Sequence, residues 1–184
     1  MALSPVRRRQ ALFLTLDHNG TGALDWDDFA RAAEVIRHER GWGSDHVMHQ
    51  GLIHAMREFW EELVARVDTD KNGRISAGEW MAFHSTMAEE VRDLGRVPLW
   101  GLGLLQGIHA VLDIDGDGTI SAEEYALWLR AIGSTHDAAA AFAALDADGD
   151  GLLGFDELEQ LYRAWLLDEG DAAPAADLFT GAPV

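Results

Sequence analysis

The chain has 184 residues, 48% of them apolar, with 32 acidic against 14 basic side chains and a formal charge of −18. That apolar share can fill a core and excludes global disorder, while the charge repels nucleic acid and anionic membranes and attracts cations. Cysteine is absent, which excludes disulfides, thiolate sites and iron–sulfur clusters, and no apolar run is long enough to span a membrane.

In chain order, Ser4-Pro5 predicts the start of a first helix, a capping residue followed by proline in the first turn. Its basic run Arg7-Arg8-Arg9 reads as local charge balance or solvation. The apolar stretch after it, ALFLTL, is too short for a secretory segment and meets Asp17 at once, so the chain reads as cytoplasmic. Leu12, Phe13 and Leu16 form an apolar stripe before an acidic loop, DHNGTGALDWDD, and Phe29, Ala33 and Ile36 continue helical spacing after it. Gly41-Trp42-Gly43 then breaks the chain. Ser44 is placed to cap a long helix to about Val67, which meets a second loop, DTDKNGRISAGE, followed by Trp80, Phe83 and Met87 at helical spacing. Gly95 and Pro98 mark the joint between two halves. Leu105, Ile108 and Leu112 lead to a third loop, DIDGDGTISAEE, with Tyr125, Trp128, Leu129 and Ile132 beyond. Gly133 ends that helix and Ser134 can cap the next, whose Phe142 and Leu145 precede a fourth loop, DADGDGLLGFDE. Leu158, Leu161, Tyr162 and Trp165 give an eighth helix. The rest is a tail in which Leu178-Phe179 is the one strongly apolar spot, able to anchor it in a groove.

The four loops share one pattern: an acid at position 1, side-chain oxygens at 3 and 5, glycine at 6, an aliphatic at 8 and an acid at 12. This is the EF-hand calcium pattern. Calcium takes six to eight hard oxygens, from side chains at 1, 3, 5, 9 and 12 and a backbone carbonyl at 7. The candidate ligands are Asp17, Asn19, Thr21, Ala23 (carbonyl), Asp25 and Asp28 in the first loop, and Asp68, Asp70, Asn72, Arg74 (carbonyl), Ser76 and Glu79 in the second. The third offers Asp113, Asp115, Asp117, Thr119 (carbonyl), Ser121 and Glu124, and the fourth Asp146, Asp148, Asp150, Leu152 (carbonyl) and Glu157. Gly154 offers no side chain at position 9. The position-8 residues Leu24, Ile75, Ile120 and Leu153 are placed to pair, first loop with second and third with fourth. Asp28 is one methylene shorter than the Glu that closes the other loops, so the first loop favours six-coordination and admits Mg²⁺ beside Ca²⁺. Acid count ranks the third and fourth loops as the first to fill.

These loops, the wide gap between the first two, the tight third–fourth pair, the first loop closing in Asp, and the tail Leu178-Phe179-Thr180-Gly181 resemble the sarcoplasmic calcium-binding protein family, especially its actinobacterial, calerythrin-type members. The resemblance implies a compact globule of two EF-hand pairs packed face to face, tight calcium binding and no enzyme activity. Family members often carry one disabled loop, commonly the second, whereas here the second keeps a full ligand set.

The resulting expectation is an all-α fold of four EF-hand helix-loop-helix units in two pairs, residues 1–95 and 96–170, with a tail at 171–184. It binds three to four Ca²⁺ ions, contacts no nucleic acid or membrane, and is a monomer from a bacterium of GC-rich genome. A buffer is the favoured role. A calcium sensor regulating a protein partner is the alternative, and an enzyme with structural calcium the weakest reading, since no catalytic signature is present. His46 and His49, three apart, could hold a transition metal, but a surface or packing role is favoured for lack of a third ligand. His109 and Trp26 read as packing residues.

Overall fold

The computed structural model describes residues 4–167 and 178–182. Among these lie eight helices, α1 (Pro5–Leu16), α2 (Trp26–Glu39), α3 (Val47–Val67), α4 (Ala77–Leu94), α5 (Leu99–Leu112), α6 (Ala122–Ala131), α7 (Ala138–Leu145) and α8 (Phe155–Leu167). Four two-residue strands sit in the loops between consecutive helix pairs: β1 (Ala23–Leu24), β2 (Ile75–Ser76), β3 (Ile120–Ser121) and β4 (Leu152–Leu153). β1 pairs antiparallel with β2 so that Leu24 faces Ile75, and β3 with β4 so that Ile120 faces Leu153. All four side chains are buried, which is the pairing the position-8 aliphatics predict.

Local chemistry sets the helix ends. Ser76 and Ser121 cap α4 and α6, and each completes a reciprocal capping box with the Glu three residues on. Asp25 and Asp28 do the same for α2. Gly95 closes α4 in the left-handed conformation. Two expected caps differ. The long helix starts at Val47 with His46 as its cap, Nδ1 accepting from Met48 N at 3.3 Å, and Asp137 rather than Ser134 caps α7 with bonds from Ala139 N and Ala140 N. An acidic side chain is a stronger acceptor for those amides, and Ser134 Oγ instead donates to Thr180 O at 2.6 Å.

One continuous core crosses the Gly95–Pro98 joint. α3 packs on α5, α2 on α6, and α4 and α1 on α8. The α3–α5 approach depends on Gly107, where a Cβ would lie 2.9 Å from the Phe59 ring. Polar contacts tie α2 to α6: Arg40 to Glu123 at 2.7 Å and Arg130 to Glu39 at 2.6 Å. Arg8 and Arg9 are buried rather than solvated, at 1% and 4% exposure. The reason lies in the docking of α1 beside α8: Arg9 Nη2 donates to Leu166 O at 2.7 Å, meeting the partial negative charge of a helix C-terminus. Of the tail, residues 168–177 and 183–184 lie outside the described residues. Leu178 and Phe179 are buried, with Phe179 edge-on to Trp165 at 5.2 Å, the anchoring expected of that pair.

Candidate metal centre

Each loop leaves one helix and enters the next, so its position-1 acid and position-12 acid are held by the two flanking helices. Within the loop the side chains are aimed by backbone amides. In the third, Asp113 Oδ1 accepts from Gly116 N at 2.8 Å and Oδ2 from Gly118 N at 2.9 Å, a turn that requires Gly118 at φ +95°. Asp115 Oδ1 accepts from Asp117 N at 3.1 Å. Glu124, only 3% exposed, folds back over the loop: Oε1 accepts from Ile114 N at 2.8 Å, and Oε2 from Ser121 N and Oγ, both at 2.8 Å. The second loop repeats this with Asp68, Asp70 and Glu79. Bonds from Ser76 and then Thr69 hold the Glu79 carboxyl down at about 2, so it stays ionised. In the fourth, Asp146 and Asp148 are turned by Gly149 N, Gly151 N and Asp150 N.

Carboxylate oxygens converge to within 4.8 Å in three of the loops: Asp68, Asp70 and Glu79; Asp113, Asp115 and Glu124; Asp146, Asp148 and Glu157. The remaining candidates line the same loops with other duties. Ser76 and Ser121 hydroxyls donate to the closing Glu. Asn72 Oδ1 accepts from Arg74 N, Asp117 Oδ1 from Thr119 N and Oγ1, and Asp150 Oδ1 from Leu152 N. The Thr119 bonds hold Asp117 below the usual carboxylate range.

An all-oxygen, acid-rich donor set suits Ca²⁺. The fourth loop tests that fit. Glu157 Oε2 accepts from Gly154 N at 3.3 Å, but Oε1 is buried with no hydrogen-bond partner among the described residues. An ionised oxygen left this way is costly unless a cation meets it. Asp146, Asp148, Asp150, the Leu152 carbonyl and Glu157 would hold that cation.

The first loop is arranged differently. Asp17 Oδ1 and Oδ2 accept from Thr21 N and Gly22 N, Asn19 Oδ1 from Thr21 N, and Asp28 bonds His18 N and Asp25 N. Thr21 Oγ1 donates to the Ala23 carbonyl at 3.0 Å, so two candidate ligands satisfy each other. Arg74, reaching across from the second loop, places Nη2 2.7 Å from Thr21 Oγ1 and 3.2 Å from Asp25 Oδ2. Burial and the neighbouring Asp25 and Asp17 raise the Asp28 carboxyl above its ordinary value. Among the described residues no three-acid cluster forms here. The loop pattern assigns residue 74 a role only through its carbonyl; the Leu24–Ile75 pairing is the signal that sets its side chain beside the first loop.

No histidine joins an acidic cluster among the described residues. His46 is exposed and stacks on Trp42, while His49 is buried with Nε2 3.3 Å from Glu34. His109 packs against Phe155, and Trp26 lies under the Arg57 guanidinium at 3.5 Å.

Known proteins carry the same features. An EF hand family model matches residues 65–84, 110–127 and 138–162. Calerythrin of Saccharopolyspora erythraea is 29% identical over 143 residues, 77% of this chain and 80% of that protein. Sarcoplasmic calcium-binding proteins I, III and IV of Branchiostoma lanceolatum are 21% identical over 110 residues, and the match spans 60% of their length. A solved Streptomyces coelicolor calcium-binding protein superposes with a TM-score of 0.68 at 28% identity, over 91% of this chain and all of that one. Helix–loop–helix geometry, clustered carboxylates and these matches define an EF-hand calcium-binding protein. The chain is homologous to calerythrin and to the sarcoplasmic calcium-binding proteins.

Proposed function

We propose that the protein is a monomeric, cytoplasmic, non-enzymatic calcium buffer, built from four EF-hand units in two pairs, residues 1–95 and 96–170, with residues 171–184 as a tail. What carries the buffer reading is the shared core: the apolar faces of both halves are spent on each other, and Met56 and Met87 are fully buried rather than presented in a groove. In this reading the second, third and fourth loops bind Ca²⁺ through the ligands named above. The first is a weaker fourth site, through Asp17, Asn19, Thr21, the Ala23 carbonyl, Asp25 and Asp28, and accepts Mg²⁺. Calorimetric titration with and without millimolar Mg²⁺ tests it. Three tight sites and one weaker, magnesium-sensitive site are expected; fewer than three calcium ions would overturn the assignment. Glu124→Gln should weaken the tightest phase by at least about tenfold, and an unchanged tightest phase would remove the third loop from the top of the ranking.

One observation favours a second reading. The structure of the Streptomyces relative is described as a basis for calcium-mediated regulation. A sensor of that kind would expose apolar surface on binding calcium, the opposite of a buffer whose core closes.

A further inference from the structure

Where the halves meet, the core is not completely filled. A cavity of about 60 Å³ opens between α1, α3, α4, α5 and α8, walled by apolar and aromatic side chains that include Leu104, Ile108, Trp80 and Phe179. Two polar side chains also line it, His84 and Tyr162, exposed by only 4% and 5%. His84 Nδ1 lies 2.9 Å from the Trp80 carbonyl oxygen. A carbonyl only accepts, so Nδ1 carries the proton and Nε2 presents a bare lone pair. Among the described residues neither Nε2 nor Tyr162 Oη takes a hydrogen-bond partner. Buried polar groups left so are costly, and in native structures they usually meet water or a ligand.

We propose that this cavity binds a small, uncharged aromatic molecule carrying one hydroxyl or N–H group, of the phenol or indole class, which donates to His84 Nε2. Neutrality follows from the walls: among the described residues no Asp, Glu, Lys or Arg lines the cavity, so a charged guest would be stripped of water without compensation. Aromaticity follows from the rings around the histidine that line the cavity, Trp80 at 4.3 Å and Phe83 at 5.0 Å, which offer faces and edges to a flat guest. Size sets the remaining condition. A dry cavity of about 150 Å³ admits benzene, so here a wall must yield. Phe179 is that wall. It belongs to no helix, closes the cavity beside Tyr162, and is held by Trp128 Nε1 donating to its carbonyl at 3.2 Å and by its edge contact with Trp165.

The test uses the full, calcium-saturated chain titrated with phenol, indole and benzene by calorimetry and ligand-observed NMR. Phenol should bind with at least about a tenfold preference over benzene, the worth of one buried hydrogen bond. Phe179→Ala should tighten both by enlarging the space, and His84→Leu should erase the preference while keeping benzene binding. Absence of saturable binding in both the wild type and Phe179→Ala overturns the proposal, as does a crystal soaked in phenol that holds only water there. A phenol preference that survives His84→Leu also overturns it. Should that variant not fold, the ¹⁵N-histidine signal of Nε2 in the wild type decides: a shift on adding phenol supports the site, and no shift removes it. Calcium stoichiometry is read separately, so failure here leaves the calcium sites untouched.

Discussion

At the scale of single residues, the side chain that most alters the calcium chemistry is a cation. In the proposed site Arg74 would offer only its carbonyl to its own loop, while its guanidinium sits on Thr21 and Asp25 of the first. A fixed positive charge among a cation's ligands both repels the ion and occupies its oxygens. Arg74→Gln keeps the carbonyl and removes the charge. It should therefore tighten the weakest calorimetric phase by roughly tenfold and leave the third and fourth loops as they are; an unchanged weakest phase would show that Asp28, not Arg74, limits the first loop. His84 makes a second residue-scale expectation. Burial foremost pushes its imidazole down to about 3 from an ordinary value near 6.5. Both folded and unfolded chains hold it neutral above 6.5, so the stability is fully present there. As the pH falls from 6.5 towards 3, only the unfolded chain takes up the proton, and stability is lost. Calcium-saturated protein should lose on the order of 1 kcal/mol from this group between pH 7 and 5.5. Urea melts of wild type and His84→Leu at the two pH values check this, since the variant should lack that increment.

At the scale of elements, the helix α3–α5 crossing is set by what is missing at one position. Gly107→Ala would put a methyl group 2.9 Å from the Phe59 ring, and the cost of such overpacking is about 1–3 kcal/mol. A lowered denaturant midpoint with an unchanged slope is the expected result; no change would mean that Phe59 swings aside. Elements of this kind also mark how far the sequence could be read. The three acidic clusters are legible in the sequence, because calcium ligation demands oxygens at fixed spacing and a glycine at the turn, whereas the first loop shares the pattern without forming such a cluster among the described residues. The helices were legible from their apolar stripes, and the position-8 pairing followed from loop symmetry. What was not legible depended on neighbours distant in sequence. Arg8 and Arg9 resemble a solvated run until α8 supplies a carbonyl at Leu166. Ser134 resembles a cap until Thr180 claims its hydroxyl. Arg74 resembles a ligand through its carbonyl alone until the β1–β2 pairing lays its side chain over the first loop. Local pattern fixes local structure; side chains long enough to reach another element answer to the tertiary fold.

At the scale of the whole molecule, the balance between charge and core decides what calcium does. With 32 acids against 14 bases, many of the acids gathered in loops, the chain without calcium is under strong self-repulsion. Calcium relieves it and binds only the folded form, so it stabilises that form by mass action. In the described residues the large apolar side chains left exposed are Val6, Leu14, Val47, Leu94, Leu99 and Leu152, against far more that are buried. Phe179 adds to the cover over Trp165 and Tyr162. A buffer with this core should close on binding. Chelation should lower the melting temperature by more than about 10 °C, given that each kcal/mol shifts a domain of this size by about 2–4 °C, and high salt should restore part of the loss by screening. Binding of an apolar dye should be high in the chelated protein and fall as calcium is added. Removing residues 178–184 should raise it again in the loaded protein, because the aromatic face beneath Phe179 would be bared. A sensor predicts the reverse order, with dye binding rising on calcium and competed away by an amphipathic helical peptide. The sign of one titration therefore separates the two: a fall places the binding energy of calcium in the shared core, and a rise would mean that the core opens to pass that energy to a partner.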